Sequence, residues 1–467
     1  MQYAPKINIL SLQYQNQTDK RRQQQTVKDK DMKGGTMLTC VVVLFLSVAA
    51  AKAQEVEMSI DDMFGRVEQH NIDVKTARQS VSISAEQKKA AKVKKLPDVN
   101  FSVTVNYLGD ATILNRDFSN ATRSEMPHFG NSISLTAYQP VYAGGRISAG
   151  IEQAETRERM ADNELNIVTD NMKMEALECY LDLFKHRNLL SVYDENIALT
   201  EKLVSEMKGR SEQGLVLAND ITRYELNLLN LNYDRTVIVD GIDHLNHNLL
   251  TYLDLEESIV VIPLLKFEDG EAVESSADYW LELARQNSPE LRKIDLEHSR
   301  LETEEKLVKS VRRPNIGISV GDNLEGPITN RSPVVDKNLN KWWAGVQLTL
   351  NISSFYKESS SLRSVRMETA RQVDRKRSQE DNIERRIDKA SKQYQEAIEQ
   401  VRTQELNVKL ATENYRIVER RYSSDLALLT DMLDASAQKL DAEVRLVNAR
   451  TNVIYYHYQL KYISGTL

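Results

Sequence analysis

Few residue sets in this sequence could do chemistry. "DHLNH", residues 243–247, sets His244 and His247 three apart, so both can share one helix face as two ligands of a metal ion. No third ligand stands nearby, and a solvent-facing helix side is the simpler reading. "GGR" at 144–146 lacks the lysine and hydroxyl residue of a phosphate-binding loop. No Ser/His/Asp or Cys/His arrangement stands out. The expectation is therefore a protein that is not an enzyme and takes no cofactor and no metal. One pattern does recur. "KGRSEQGLVLANDITRYELNL" at 208–228 and "RRYSSDLALLTDMLDASAQKL" at 420–440 carry the same break between helical runs. Arg210 falls on Arg421, Leu215 on Leu426, Leu217 on Leu428 and Asp220 on Asp431.

The elements around those breaks repeat as well. "HNIDVKTARQSVSISAEQKKAAKVKKLPDV" at 70–99 matches "NSPELRKIDLEHSRLETEEKLVKSVRRPNI" at 287–316, with Pro97 on Pro314. After each comes an alternating segment. Phe101, Val103, Val105 and Tyr107 alternate with Ser102, Thr104 and Asn106. Ile133, Leu135 and Ala137 alternate with Ser132, Ser134 and Thr136; Ile316, Ile318 and Val320 repeat the pattern in the second half. Val346, Leu348, Leu350 and Ile352 alternate with Gln347, Thr349 and Asn351. A period of two with one apolar and one polar face suits a strand between lipid and water.

Between the strands and the breaks lie long stretches without Gly or Pro, from Ile151 to Lys208 and from Val346 to Ser464. Helices over about 147–208 and 357–421 would each run for roughly 90–100 Å at 1.5 Å per residue. Helices of that length must lie side by side in an elongated bundle. The predicted organisation is a polar extension and signal peptide over 1–53, a first repeat over 54–255, a linker over 256–276 and a second repeat over 277–467. Residues 61–95 read as one helix. Strands are predicted near 99–108, 131–142, 315–321 and 344–353, and the hairpin helices near 147–208, 220–253, 357–421 and 430–462.

Composition narrows the class. Residues 38–50, "LTCVVVLFLSVAA", follow Lys30 and Lys33 and precede "AKA", the order of a secretory signal with cleavage before Gln54. Met32 or Met37 is the expected initiator, the polar stretch ahead being a mis-assigned start. Cys40 would leave with the signal and is poorly placed as a lipid anchor, so Cys179 would remain alone, without a disulfide framework. Removing the prefix takes eight basic residues from 61 and three acidic from 68, leaving a net charge of −12. Nucleic acid is a poor partner for such a chain. After residue 54 nothing approaches the roughly 18 apolar residues of a transmembrane helix, so any span must be made of strands. Four strands cannot close a pore, and an open edge in lipid is prohibitive. Three copies would supply twelve strands.

With those features in hand, the sequence resembles the TolC-like outer-membrane factors (outer membrane efflux proteins) over about 60–462. The carriers are the Asn-Ser-Pro-Glu-Leu helix ending at Pro314, "YQPVYAGGR" at 138–146 and "RYSSDLALLTDMLDA" at 421–435. The resemblance implies a mainly α fold with a transmembrane β portion. Its long antiparallel hairpins would form a periplasmic tube, and its four strands per protomer a shared 12-stranded barrel in a homotrimer. It implies an exit duct in the outer membrane of a Gram-negative bacterium, serving a tripartite efflux pump or type I secretion system. Its partners would be outer-membrane lipid, a periplasmic adaptor and an inner-membrane pump of RND, ABC or MFS type. A periplasmic adaptor or a coiled-coil envelope protein is the alternative; the twice-repeated hairpin with paired strands speaks against both.

The resemblance also implies roles. Asp431 and Asp434 match paired aspartates that ring the narrowest point, Asp220 matches an acidic residue beside the first turn, and Tyr422 matches a turn tyrosine that helps hold the aperture shut. Gly214, Leu215, Asp425 and Leu426 fall in the tip turns where pump or adaptor docks. Gly144 and Gly145 fall in the strand-to-helix turn. The second repeat departs from the pattern, with "FYKES" at 355–359 opposite "YAGGR" and Asp425 opposite Gly214. A plain capping role is the competing reading for Asp220 and Asp431.

Overall fold

The computed structural model describes residues 54–214, 216–265, 276–331, 334–424 and 426–467. The expected signal peptide, residues 266–275 of the linker, and the turn residues Leu215 and Asp425 lie outside them. The chain divides into two compact units. In the small one, the described residues are Gln54–Val56 and Ser258–Val260. There the Gln54 amide donates to the Ser258 carbonyl at 3.2 Å. The large unit holds Glu57–Glu257 and Val261–Leu467.

The repeat is visible element by element. After β1 (Gln54–Met58) the first half runs α1 (Ile60–His70), α2 (Ile72–Val93), β2 (Asp98–Tyr107), a small hairpin β3 (Ala111–Ile113) and β4 (Thr122–Ser124), then β5 (Phe129–Ala143), α3 (Arg146–Glu212) and α4 (Ala218–Leu253). After β6 (Ile259–Pro263) the second runs α5 (Ala277–Asn287), α6 (Pro289–Ser310), β7 (Asn315–Gly326), β8 (Leu339–Thr349), α7 (Ser354–Lys357), α8 (Ser359–Ser423) and α9 (Leu429–Ser464).

The single helix expected over 61–95 is broken. Asn71 leaves helical geometry at ψ 134°, and its side-chain oxygen accepts the Asp73 amide at 2.9 Å, ending α1 and capping α2. Ser288 breaks the second repeat at the equivalent position, ahead of Pro289, whose fixed φ suits a first helical turn. β7 extends beyond the alternating run to Gly326, and β8 starts at Leu339, because polar residues from Asp322 onward keep pairing across the ladder.

One antiparallel sheet joins the repeats in the order β2-β5-β7-β8. Its register sets Phe101 opposite Leu135, Val103 opposite Ile133, Ala137 opposite Val320, and Ile318 opposite Val346. Directly opposed residues share a face, so the apolar residues of all four strands lie together. They are left bare: Phe101 is 68% exposed and Val346 74%. The other face is polar, with Ser102 facing Ser134 and the Ser132 hydroxyl 3.2 Å from Asn323. Two aromatic rings on it lie over glycines, Tyr138 on Gly317 and Trp343 on Gly321.

α3 has 67 residues, about 100 Å of helix. No side chain reaches that far, so two shorter helices line it in turn, with α2 and α4 both packed along α3. α8, with 65 residues, is lined likewise by α6 and α9. The repeats meet where α6 and α9 pack on α3. Burial is confined to narrow stripes and a few clusters. One joins Trp280 and Ala284 of α5 to Ile383, Ile387 and Tyr394 of α8 and Leu460 of α9.

Candidate functional site

The two breaks are helix turns, and they sit together. α3 ends where the Gly214 amide donates to the Ser211 carbonyl at 2.9 Å with φ +73°, a left-handed conformation that glycine adopts without Cβ strain. Leu217 begins α4, and Asp220 stands third in it, partly buried. At the second turn the Leu426 amide closes onto the Arg421 carbonyl at 2.7 Å, and the Arg421 guanidinium donates to the Leu426 carbonyl at 3.3 Å. Asp431 stands third in α9, and its carboxylate accepts the Leu428 amide at 3.0 Å. Neither aspartate is the N-cap residue itself, because leucines hold that position in both helices. Asp431 nevertheless satisfies one otherwise orphaned donor of its helix.

An apolar cluster binds the turns to each other. It contains Leu203, Val204 and Met207 of α3, Tyr224 of α4, Tyr415 of α8, and Leu429, Met432 and Ala435 of α9. Ile221 and Tyr422 pack on its edge. The Arg210 guanidinium stands 5.7 Å from the centre of the Tyr422 ring, one repeat touching the other. A small cavity of about 50 Å³ beside them is lined by Met207, Arg210, Tyr415 and Tyr422. The Tyr224 hydroxyl is buried without a hydrogen-bond partner, and burial pushes its ionisation up. Tyr415 is pushed up to about 12, again mainly by burial.

Above the turns a second link crosses between repeats. Lys439 and Glu443 of α9 pair at 3.0 Å with little exposure, and Asn196 of α3 donates to Glu443 at 3.0 Å. Asp434 is exposed, accepting from Gln438 at 2.9 Å. Leu217, Leu426 and Leu428 are exposed at the turns. Sequence reasoning named Leu426 but missed Leu217, Leu428 and Arg210 as functional candidates. The first two were visible as aligned leucines at helix starts.

Gly144 and Gly145 form the strand-to-helix turn with φ +63° and +88°. A Cβ on Gly144 would stand 2.6 Å from the Ser310 carbonyl, so the end of α6 requires glycine there. In the second repeat the short helix α7 replaces this turn.

The remaining chemistry is sparse. His244 bonds Asn248 at 3.1 Å, and among the described residues no group of three or more His, Cys, Asp or Glu could hold a metal ion. Cys179 is buried, donates to the Leu245 carbonyl, and has its thiol pushed up to about 11 by burial. Among the described residues no helix is long and apolar enough to cross a membrane.

Comparison with known proteins accounts for this arrangement. Residues 280–466 match the family described as outer membrane efflux protein. The second repeat therefore belongs to the outer membrane efflux protein family. No curated protein matches the sequence. Solved outer-membrane channels share the efflux-protein fold along most of the chain. The outer membrane protein VceC of Vibrio cholerae superposes with a TM-score of 0.73 at 13% identity, covering 87% of this chain and 96% of its own. The CmeC outer membrane channel of Campylobacter jejuni gives 0.73 at 11% identity, covering 87% and 85%. The open state of the Neisseria gonorrhoeae MtrE channel gives 0.67 at 13% identity, covering 87% and 89%.

Proposed function

We propose that three copies of this chain form a passive exit duct through the outer membrane, continued into the periplasm by the helices. One observation carries the reading: a four-stranded sheet with one bare apolar face, one polar face and, among the described residues, two unpaired edges, β2 and β8. Such a sheet suits lipid on one side and water on the other only if its edges are paired by further copies. Within the chain β5 pairs β7 across the repeats; the repeat-related pairing of β8 is with β2 of a second copy. The helices support the same assembly. Among the described residues α9 packs on α3, while α4 has no comparable packing on α8. Leu226, Leu229, Tyr233 and Val237 form a bare stripe on α4, and Leu406, Leu410 and Ile417 one on α8.

The duct narrows at the paired turns. Asp431, Asp434 and Asp220, three copies of each, line the aperture and favour cations over anions. Tyr422 holds it closed through Arg210. The turns, with Gly214, Leu215, Asp425 and Leu426, receive a periplasmic adaptor and an inner-membrane pump, and the protein catalyses no reaction. The test is to extract the protein in detergent, weigh it, and record its conductance in a planar bilayer. A trimer with small cation-selective currents is expected. A folded monomer without conductance overturns the reading.

A further inference from the structure

Beneath the sheet, where α2 ends and α3 begins, lies a cavity of about 830 Å³. That volume falls within the usual range for small-molecule sites. Its sheet side is Asp98, Tyr138, Asn315, Gln347 and Thr349. The register sets Asp98 opposite Tyr138 and Asn315 opposite Thr349, and places Gln347 opposite Gly317, so all belong to the polar face. Its helix side carries Lys94, Arg146 and Arg157. None of these three side chains makes an ion pair or hydrogen bond with another described residue; elsewhere Lys88, Lys92, Lys293 and Lys306 all find glutamates on α3. Three unneutralised cations face one carboxylate, Asp98, across the cavity.

Between the arginines the helix wall is small or apolar except for Gln153. Arg146 and Arg157 are eleven residues apart on α3, about 16 Å along its axis. Ile147, Gly150 and Ala154 line the cavity between them, and Leu307 and the Tyr138 ring stand opposite. Cations at the ends of a long trough with apolar sides suit a particular kind of ligand: guanidinium groups grip carboxylate or sulfonate oxygens in pairs, and the trough covers a hydrocarbon body.

We propose that this cavity binds elongated amphipathic organic anions, carboxylates or sulfonates, held at Arg146, Arg157 and Lys94. Its facing the lumen, which makes such anions cargo held on their way out, rests on the duct reading; the binding itself does not. On that reading the acidic aperture disfavours anions, and a cationic resting place above it favours those that have passed.

Biphenyl-4-sulfonate, titrated calorimetrically into the full chain in a nonionic detergent, is the probe. Its cationic counterpart, biphenyl-4-ylmethylammonium, is the control. The sulfonate should bind saturably and at least tenfold more tightly than the cation. Arg146→Gln with Arg157→Gln should weaken it at least tenfold, while Arg146→Lys with Arg157→Lys, which keeps the charge, should lose less. Both arginines are exposed, so these variants fold. Equal binding of the two probes, or sulfonate binding untouched by the glutamine pair, overturns the proposal. Conductance is read separately. Current without sulfonate binding removes this inference and leaves the duct; sulfonate binding without current does the reverse.

Discussion

The guanidinium of Arg210 lies 5.7 Å from the centre of the Tyr422 ring, which joins the end of α3 to the end of α8. A cation over an aromatic face contributes about 0.5–2 kcal/mol, depending on how well water is excluded. Tyr422→Ala and Arg210→Ala should each loosen the paired turns and raise single-channel conductance, with no further rise in the double variant. Tyr422→Phe keeps the ring and should stay close to wild type. If all four proteins conduct alike, the contact does not hold the aperture.

Asp431 has two roles that substitution can separate. Its carboxylate accepts the Leu428 amide, and it brings one negative charge to the turn. Asn can still accept that bond but carries no charge. Asp431→Asn should therefore keep thermal stability near wild type while lowering cation selectivity. Asp431→Ala should lose selectivity and also about 1 kcal/mol of capping. Selectivity unaltered in both variants would leave Asp431 as a capping residue alone.

At the strand-to-helix turn, Gly144→Ala combines positive φ with a Cβ placed 2.6 Å from a backbone oxygen of α6. A cost of about 2–4 kcal/mol is expected. Gly214→Ala has positive φ but open space around it and should cost only about 1 kcal/mol. Denaturant unfolding of the two variants checks the order, and Gly214→Ala as the worse of the two would contradict it.

Two partly buried groups give stability opposite dependences on pH. Burial raises Asp170 from its usual range to about 6, so the folded state holds a proton that the unfolded state has released. Stability gained from Asp170 therefore grows as pH falls from 6 to 4. Burial lowers His457, among Trp280, Tyr394 and Tyr458, to about 4. The unfolded state takes the proton first, so His457 makes stability fall as pH drops from about 6.5 to 4. Asp170→Asn should expose a steeper acid loss, and His457→Phe a shallower one, in melting curves over that range. A pH profile identical in the two variants would contradict both assignments.

The long helices could be read from sequence because Gly and Pro are almost absent between the strands and the turns, and the four strands because their apolar and polar residues alternate, even with Pro140, Gly317, Gly321 and Gly345 inside them. Strand faces followed from Phe101, Val103 and Ile318 alone. The split at Asn71 could not be read that way: one asparagine ends a helix only because its side chain can cap the next, and nothing in the apolar pattern marks it. β7 and β8 run past their alternating cores because ladder pairing continues where Asp322 and Asn340 interrupt the apolar face. At the turns, the aligned aspartates and leucines pointed to the region, but the reach of Arg210 to Tyr422 depends on how the hairpins pack. The cations beneath the sheet lie on two segments about fifty residues apart, Lys94 after α2 and Arg146 with Arg157 on α3, and only the fold gathers them.

The bare stripe on α4 and the buried seam between α9 and α3 are repeat-related, yet only the second is made within one chain. Damage to the α9–α3 seam is thus a folding defect, fixed at synthesis and indifferent to how much protein the cell makes. In the proposed trimer, damage to the α4 stripe is an encounter defect, one that overexpression can mask. In that assembly it would also spread through mixed rings when mutant and wild-type subunits are made together.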